Sequence, residues 1–225
     1  MLSRSIEDYI KTVYELQGKN QRVFTKDIAR SMGVKMPSVS GMVKHLAAEG
    51  YLSHKPYKGV LLTKRGQRIA VDLLRRHRLI ELFLNKTLDI PWDEIHEDAE
   101  VLEHVISNKL IERIFNFLGR PKFDPHGHTI PGKDGNLPLS RGVPLDQVNE
   151  GETGRVVEVS DHDPEFLRYL TGLKLKIGSE VLVKEHAPFG GPIMLILERQ
   201  SLAIGLDAAR RIRVDIKKKV GKRSN

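Results

Sequence analysis

Residues 25–50 read TKDIARSMGVKMPSVSGMVKHLAAEG, and this stretch decides the fold. KDIARSM has the makings of a short helix, with Thr25 as its expected N-cap and Gly33 as its stop. Pro37 then opens a second helix, PSVSGMVKHLAAEG, that ends at Gly50. Two short helices joined by a tight turn form a helix-turn-helix. Upstream, Ile6, Tyr9, Ile10, Val13 and Tyr14 recur at helical spacing up to Gly18, which gives a leading amphipathic helix. Downstream, YLSHKPYKGVLLT alternates β-favouring residues about a Tyr57-Lys58-Gly59 turn, the pattern of a hairpin. Helix, turn, helix and hairpin together make a winged helix-turn-helix.

In that motif the second helix enters the major groove by its N-terminal residues while the flanks hold phosphates. The expected DNA-contacting residues are therefore Lys35, Pro37, Ser38, Ser40, Gly41 and Lys44, with His54, Lys55 and Lys58 on the wing. None is a strong base-specific reader. A solvated polar face is the competing explanation, and the charge distribution argues against it. Residues 1–76 carry 15 Lys/Arg against 6 Asp/Glu, a net of +9, whereas residues 77–118 carry 4 against 9, a net of −5. A basic module precedes an acidic one.

The rest of the 225-residue chain divides readily. A helical pattern from about Gln67 to Leu88 is broken at Pro91, and Trp92 to Leu118 supplies further helices. One of these carries Ala99, Leu102, Val105, Ile106 and Leu110 as an apolar stripe. Residues 119–142 are dense in Gly and Pro and read as a linker or extended loop. After them GRVVEVS, KIGSEVLVKE, IMLILE and RIRVDI read as strands of a small antiparallel barrel, followed by the basic tail KKKVGKRSN. The expected fold is thus mainly α with a smaller β part. Residues 1–66 form the winged helix-turn-helix domain, 67–142 a helical domain with its linker, and 143–225 the β-module with its tail.

The chemistry lies in IHEDAEVLEH, residues 95–104. On a helix His96, Glu100, Glu103 and His104 fall at i, i+4, i+7 and i+8, along one stripe. His77 and Glu81, also i, i+4, lie on the preceding helix. Cysteine is absent, so thiolate sites are excluded and any metal must be held by nitrogen and oxygen. Such a set suits Mn, Fe(II), Co, Ni or Zn, while a merely solvated His/Glu face is the plainer alternative. An enzymatic di-iron reading needs Glu-x-x-His, which EVLEH lacks, and no P-loop, nucleophile elbow or HExxH occurs. The chain is therefore not expected to be an enzyme or to have a small-molecule substrate. With no long apolar run and a charged amphipathic start, MLSRSIEDY, it is expected in the cytoplasm, away from membranes.

Taken jointly, IEDYIKTVYEL, RRHRLIELFL, IHEDAEVLEH and PHGHTIPG resemble the diphtheria toxin repressor family of iron- and manganese-dependent regulators, over nearly the whole chain. The resemblance implies a helical metal-binding and dimerisation domain and a C-terminal SH3-like β-barrel. It also implies a primary metal site of Asp8, Glu100, Glu103 and His104, and an ancillary site of His77, Glu81 and His96. His162 and Glu165, in VSDHDPEFLRYL, are candidates to complete the second site, with Asp161 and Asp163 behind them. Asp8 has a structural alternative, because Ser5 to Asp8 has the spacing of a capping box. Iron-responsive members place Met and Cys where this chain has Asp8 and Glu100, so the carboxylates favour Mn(II), with Fe(II) the alternative and Zn, Co or Ni as in vitro substitutes. Short manganese regulators, however, carry a second first-helix carboxylate where this chain has Lys11, and they lack the third domain. The function implied is a metal-activated homodimeric repressor on palindromic double-stranded operators of metal-homeostasis genes, with Leu79, Leu82, Phe83, Val105 and Leu110 as candidate dimer contacts. A winged-helix regulator sensing an organic ligand, and a metallohydrolase with an accessory DNA-binding domain, are the rival readings.

Overall fold

The computed structural model describes residues 2–17, 21–55, 57–136 and 140–217, so Gly18 and most of the basic tail lie outside the described residues. The chain separates into two compact units. The first comprises Met1–Ile80, Glu100–Ile114 and Ile130–Leu137, and the second Glu81–Ala99, Phe115–Thr129 and Pro138–Asn225.

In the first unit, α1 (Arg4–Gln17), α2 (Thr25–Met32) and α3 (Met36–Ala48) precede the hairpin β1 (Leu52–Lys55) and β2 (Gly59–Leu62). One face of α1 contributes Ile10 and Val13 to a core shared with Ile28, Val39, Val43, Leu46 and Val60, all essentially inaccessible. Gln17 is buried at the end of α1, where its Oε1 accepts the Leu62 N–H at 2.8 Å and ties the helix to the wing. The strands pair from Leu52↔Leu62 to Lys55↔Gly59, and Val23 adds a further bridge to Val60. Gly59 has φ +77°, and a Cβ there would stand 2.6 Å from the Val23 carbonyl oxygen. Glycine is needed where the wing is pressed onto that bridge.

Two local expectations are corrected. Thr25 is the first residue of α2 rather than its cap: Phe24 holds the N-cap position without a side-chain hydrogen bond. The stop is as expected, with Gly33 left-handed at φ 65°. α1 begins at Arg4, ahead of Ser5, so Asp8 is not the acidic partner of a Ser5 capping box. α4 (Lys64–Leu88) starts three residues earlier than its apolar pattern, because Thr63 Oγ1 accepts the Gly66 N–H at 3.2 Å and its carbonyl the Gln67 N–H at 2.8 Å. α4 ends before Pro91, where Asp89 turns left-handed at φ 53°. α5 (Ile95–Val105) and α6 (Asn108–Phe117) follow.

The second unit is built on a six-stranded antiparallel sheet in the order β3-β8-β4-β5-β6-β7. Its strands are β3 (Val143–Pro144), β4 (Thr153–Val159), β5 (Glu180–His186), β6 (Ile193–Leu197), β7 (Gln200–Ile204) and β8 (Ile212–Ile216). Four match the runs read from sequence. β3 and β7 do not, since neither Val-Pro nor QSLAI carries a strong alternation. α7 (Pro164–Gly172) and α8 (Leu206–Arg210) complete the module, whose core includes Val156, Leu167, Leu170, Leu175, Val183, Ile193, Leu195, Ile212 and Val214. α7 is started by Asp163, whose Oδ1 accepts the N–H groups of Glu165 and Phe166.

The Gly/Pro-rich stretch is not a featureless linker where it is described. Phe123 bridges Thr129, Asp124 Oδ1 accepts the N–H groups of His126 and His128 at 2.9 Å each, and Val159 N–H donates to the His126 carbonyl. Gly127, at φ +89°, lies so close that a Cβ would fall 2.0 Å from the Val157 oxygen. A glycine there lets this loop lie against β4 and fixes two histidines in place. No helix among the described residues is long and apolar enough to cross a membrane.

Candidate metal centres and nucleic-acid interface

The C-terminal half of α5 inverts the usual logic of an amphipathic helix. Glu103 is completely buried and the His104 side chain nearly so, whereas Val101, Leu102 and Val105 are exposed at 50%, 37% and 71%. A buried carboxylate requires a cation, and an exposed apolar stripe invites a protein partner. Arg76 holds α5 in register by donating to the carbonyls of Glu103 and Ile106 and to Asn108 Oδ1.

Facing α5 in the first unit are Glu7, Asp8 and Lys11, on the side of α1 away from its apolar core. His104 Nδ1 lies 2.6 Å from Glu7 Oε2, so its N–H donates to that carboxylate. The other nitrogen, Nε2, stands 2.9 Å from Asp8 Oδ1 and 3.6 Å from Glu103 Oε1, buried and without a hydrogen bond among the described residues. An imidazole oriented by a carboxylate, with its bare nitrogen between two carboxylate oxygens, is suited to a divalent cation. The donors of Glu100, Glu103 and His104 all fall within 4.8 Å of one another. Burial pushes the Asp8 carboxyl above its usual range, and nearby Glu100 and Glu103 add to this while His104 and Arg4 oppose it. Added positive charge would relieve that crowding. His77, grouped with Glu81 and His96 by the resemblance, has its Nδ1 2.6 Å from Glu103 Oε2.

The second unit carries its own cluster. Glu81 and His126 are fully buried, with Glu81 Oε2 3.8 Å from His126 Nδ1, and Asp161 joins them. His126 Nε2 lies 2.9 Å from the Trp92 carbonyl and its ring stacks on Trp92, which leaves Nδ1 directed at the acids and without a hydrogen bond of its own. Burial opposes a charge on His126, yet the contact with Glu81 and the Asp124 and Asp161 charges outweigh it and push its pKa up to about 9. His128 Nδ1 lies 3.3 Å from Asp124 Oδ2 and 3.4 Å from Asp161 Oδ2. His96 approaches Glu81 Oε1 at 3.4 Å. The donor set is again nitrogen and oxygen, and the gap between Glu81 and His126 is one that a cation can bridge.

His162 is exposed, 3.5 Å from Asp161 and edge-on to His96. Glu165 is exposed in the first turn of α7 and belongs to none of the metal-capable clusters among the described residues. Asp163 serves as the α7 cap and pairs with Arg211 at 3.0 Å. Sequence reasoning missed Glu7, Asp124, His126 and His128. The last three form D-x-H-x-H in residues 124–128, a signal that the surrounding glycines and prolines obscured.

On the reader, Lys35, Pro37, Ser38, Gly41 and Lys44 are exposed on or beside α3, and Ser40 is half-buried. Lys55 and Lys58 are exposed on the wing, with His54 half-buried between them and β2.

Comparison with known proteins adds the family. Residues 1–60 match the description "Iron dependent repressor, N-terminal DNA binding domain", 63–132 "Iron dependent repressor, metal binding and dimerisation domain", and 143–216 "FeoA domain". A solved "Manganese-dependent transcriptional repressor complex with manganese" is 37% identical with a TM-score of 0.85, covering 93% of this chain and 98% of its own. The chain belongs to the iron-dependent repressor family. Among curated relatives of this family, the iron-dependent repressor IdeR of Mycobacterium leprae is 26% identical over 220 residues, covering 93% of this chain and 96% of the relative. The regulator MntR of Bacillus pumilus is 36% identical over 114 residues, 51% of this chain and 78% of the relative. The family's SH3-like third module is the six-stranded sheet described above.

The Glu7 contact yields a prediction. In Glu7→Gln the side chain keeps its shape, but the His104 ring loses its charged anchor, and outer-shell changes of this kind cost roughly 10–100-fold in metal affinity. Calorimetric Mn(II) titration is expected to show that loss with no shift in the metal-free thermal midpoint. An unchanged affinity would mean that Glu7 does not orient the imidazole.

Proposed function

We propose that this chain is a cytoplasmic, metal-dependent transcriptional repressor that binds palindromic operators of metal-homeostasis genes as a homodimer, with Mn(II) the favoured corepressor and Fe(II) the alternative. The observation that carries this reading is the double duty of α1. Ile10 and Val13 on one face belong to the core that also seats the reading helix, while Glu7 and Asp8 on another face meet His104. A divalent ion held by Asp8, Glu100, Glu103 and His104 would supply the positive charge that fixes α1 against α5, and with it the reader. The all-oxygen-and-nitrogen donor set supports Mn(II) over softer metals. Glu81, His126, Asp161, Asp124 and His128 form the second candidate site, with His96 beside it. The proposed domains are 1–66, 67–142 and 143–225.

Dimerisation is assigned to the exposed stripe Val101, Leu102, Val105 and Leu110. Leu79 and Leu82, expected from sequence as dimer contacts, are core residues at 0% and 3% exposure, and Phe83 packs edge-on to Phe117. Two reading helices about 34–36 Å apart would meet successive major grooves of a palindrome.

Gel-shift titration on genomic DNA fragments, with Mn(II), Fe(II) and then chelator, tests the proposal. Retardation that appears with metal and is reversed by chelator is expected, whereas metal-independent retardation would overturn it. The wing is tested separately. If Lys55 and Lys58 each neutralise one phosphate, the Lys55→Ala/Lys58→Ala variant should weaken binding to all sequences alike and lower the salt slope by about 2 per chain. A change confined to one operator sequence would instead make them base readers.

A further inference from the structure

The tip of the wing carries an aromatic side chain that nothing in the chain uses. Tyr57 is 102% exposed and sits at φ 61°, in the left-handed region. It is the third residue of a turn closed by the Lys58 N–H on the Lys55 carbonyl at 3.0 Å. Glycine or asparagine suits that position, whereas a bulky side chain is strained there. Strain that no internal contact explains points to a use outside the chain. Among the described residues Phe189 is the one other aromatic side chain held at positive φ, and it is as exposed. Its loop, residues 187–192, carries no charge. Tyr57, by contrast, stands between the exposed Lys55 and Lys58, in a stretch from 51 to 63 with no Asp or Glu.

The strands beneath hold that tip in place. Val23 and Val60 exchange both backbone hydrogen bonds, at 3.0 and 2.9 Å, and Arg22 donates to the Gly59 carbonyl at 3.1 Å. The ring is thus presented by a fixed hairpin in the same unit as the reading helix α3. Resting on the DNA-binding reading above, we propose that Tyr57 is a specificity-determining residue that enters the minor groove beside the half-site and selects A·T pairs there. With α3 in the major groove, a wing beside it meets the next minor groove. That groove is about 6 Å wide, too narrow for a helix but open to a flat ring set edge-on. At A·T pairs its floor carries only acceptors, adenine N3 and thymine O2, which the Tyr57 hydroxyl can meet as a donor. A G·C pair adds the guanine 2-amino group, which stands in the way of both ring and hydroxyl. Lys55 and Lys58 reach the phosphates that wall the groove and are indifferent to sequence. Base preference at the wing then rests on Tyr57.

The test uses the full chain with Mn(II) and labelled duplexes of the retarded operator, their flanks rebuilt as A·T, inosine·C, G·C or 2,6-diaminopurine·T. The first two pairs present no minor-groove amine and the last two do, whereas the major-groove pattern groups A·T with diaminopurine·T instead. Native affinities are expected to sort by the amine, with A·T and inosine·C roughly tenfold tighter than the other two. Tyr57→Gly should bind all four alike, at the weaker level, and melt no earlier than native because glycine accepts the left-handed backbone. Sorting by the major-groove pattern, equal native affinities, sorting that persists in Tyr57→Gly, or earlier melting of that variant would overturn the proposal. Failure of native protein with metal to retard the A·T duplex would instead bring down the repressor reading, and this one with it.

Discussion

Glu103→Gln should abolish metal-dependent operator binding and destabilise the metal-free protein at the same time. Glu103 is fully buried and both its oxygens are engaged: Oε1 with Lys11 at 2.9 Å and His104 Nε2 at 3.6 Å, Oε2 with His77 at 2.6 Å and Lys11 at 3.0 Å. Glutamine preserves the shape but removes the charge, and its NH2 group must face either the Lys11 ammonium or the imidazoles. One donor would then point at another. Leaving a buried charge with only part of its partner typically costs about 3–5 kcal/mol. The solvent-reachable Glu100 can still pair with Lys11, so the lower end, about 3 kcal/mol, applies. A comparable loss in the metal-bound state corresponds to roughly 100-fold in Mn(II) affinity. Urea unfolding without metal and calorimetric Mn(II) titration check the two halves. Native Mn(II) affinity in this variant would contradict the placement of the ion at Glu103.

A second large effect is expected in the reading helix of the first unit. Gly41 sits in the middle of α3, exposed, and a Cβ built on it would meet nothing within 4 Å. Glycine inside a helix costs roughly 1 kcal/mol relative to alanine, and no intramolecular contact explains why it is kept. Close approach of another molecule does explain it, since base edges and backbone in the major groove leave little room along a reading helix. Gly41→Leu should therefore leave folding as stable as native or slightly more so and leave Mn(II) binding unchanged. Operator affinity should fall about 100-fold, the effect of losing on the order of 3 kcal/mol of base-edge contact. Anisotropy of a labelled operator at saturating Mn(II) measures this. Unimpaired operator binding would mean that α3 does not enter the groove face-on. Opposite outcomes in the two variants, one losing metal and the other only DNA, separate sensing from reading.

Much of this arrangement was legible in the residues. The reading helix, the wing and the long α4 announce themselves through helical spacing, Pro37, Gly33 and the β-favouring hairpin, all local signals. The clustering of Glu100, Glu103 and His104 was legible because two acids and a histidine share one stripe of a short helix. Long-range pairing was not. Nothing in the spacing of Glu7 and His104, 97 positions apart, says that one orients the other. His77 shares a helical face with Glu81, and nothing in that spacing says that its Nδ1 also meets Glu103, because a histidine at i, i+4 from an acid can equally face a third element. The stripe of Leu102, Val105 and Leu110 was legible as an apolar face, and Val105 and Leu110 are exposed as their place among the candidate dimer contacts requires, but periodicity does not say what covers such a face. The loop at 124–128 was hidden for a different reason: glycine and proline density signals irregular backbone, and here Gly127 is what lets irregular backbone hold His126 and His128 in place.

Thermodynamic linkage offers the most direct test of coupling between the metal centre and the reader. If Mn(II) at the Asp8, Glu103 and His104 centre strengthens operator binding by some factor, operator must strengthen Mn(II) binding by the same factor. Calorimetric Mn(II) titration of the full chain, alone and saturated with operator, measures that reciprocal directly. Mn(II) affinity is expected to rise clearly with operator present, on the order of 10–100-fold, equal to the gain in operator affinity with metal. Identical Mn(II) affinities with and without operator would contradict it.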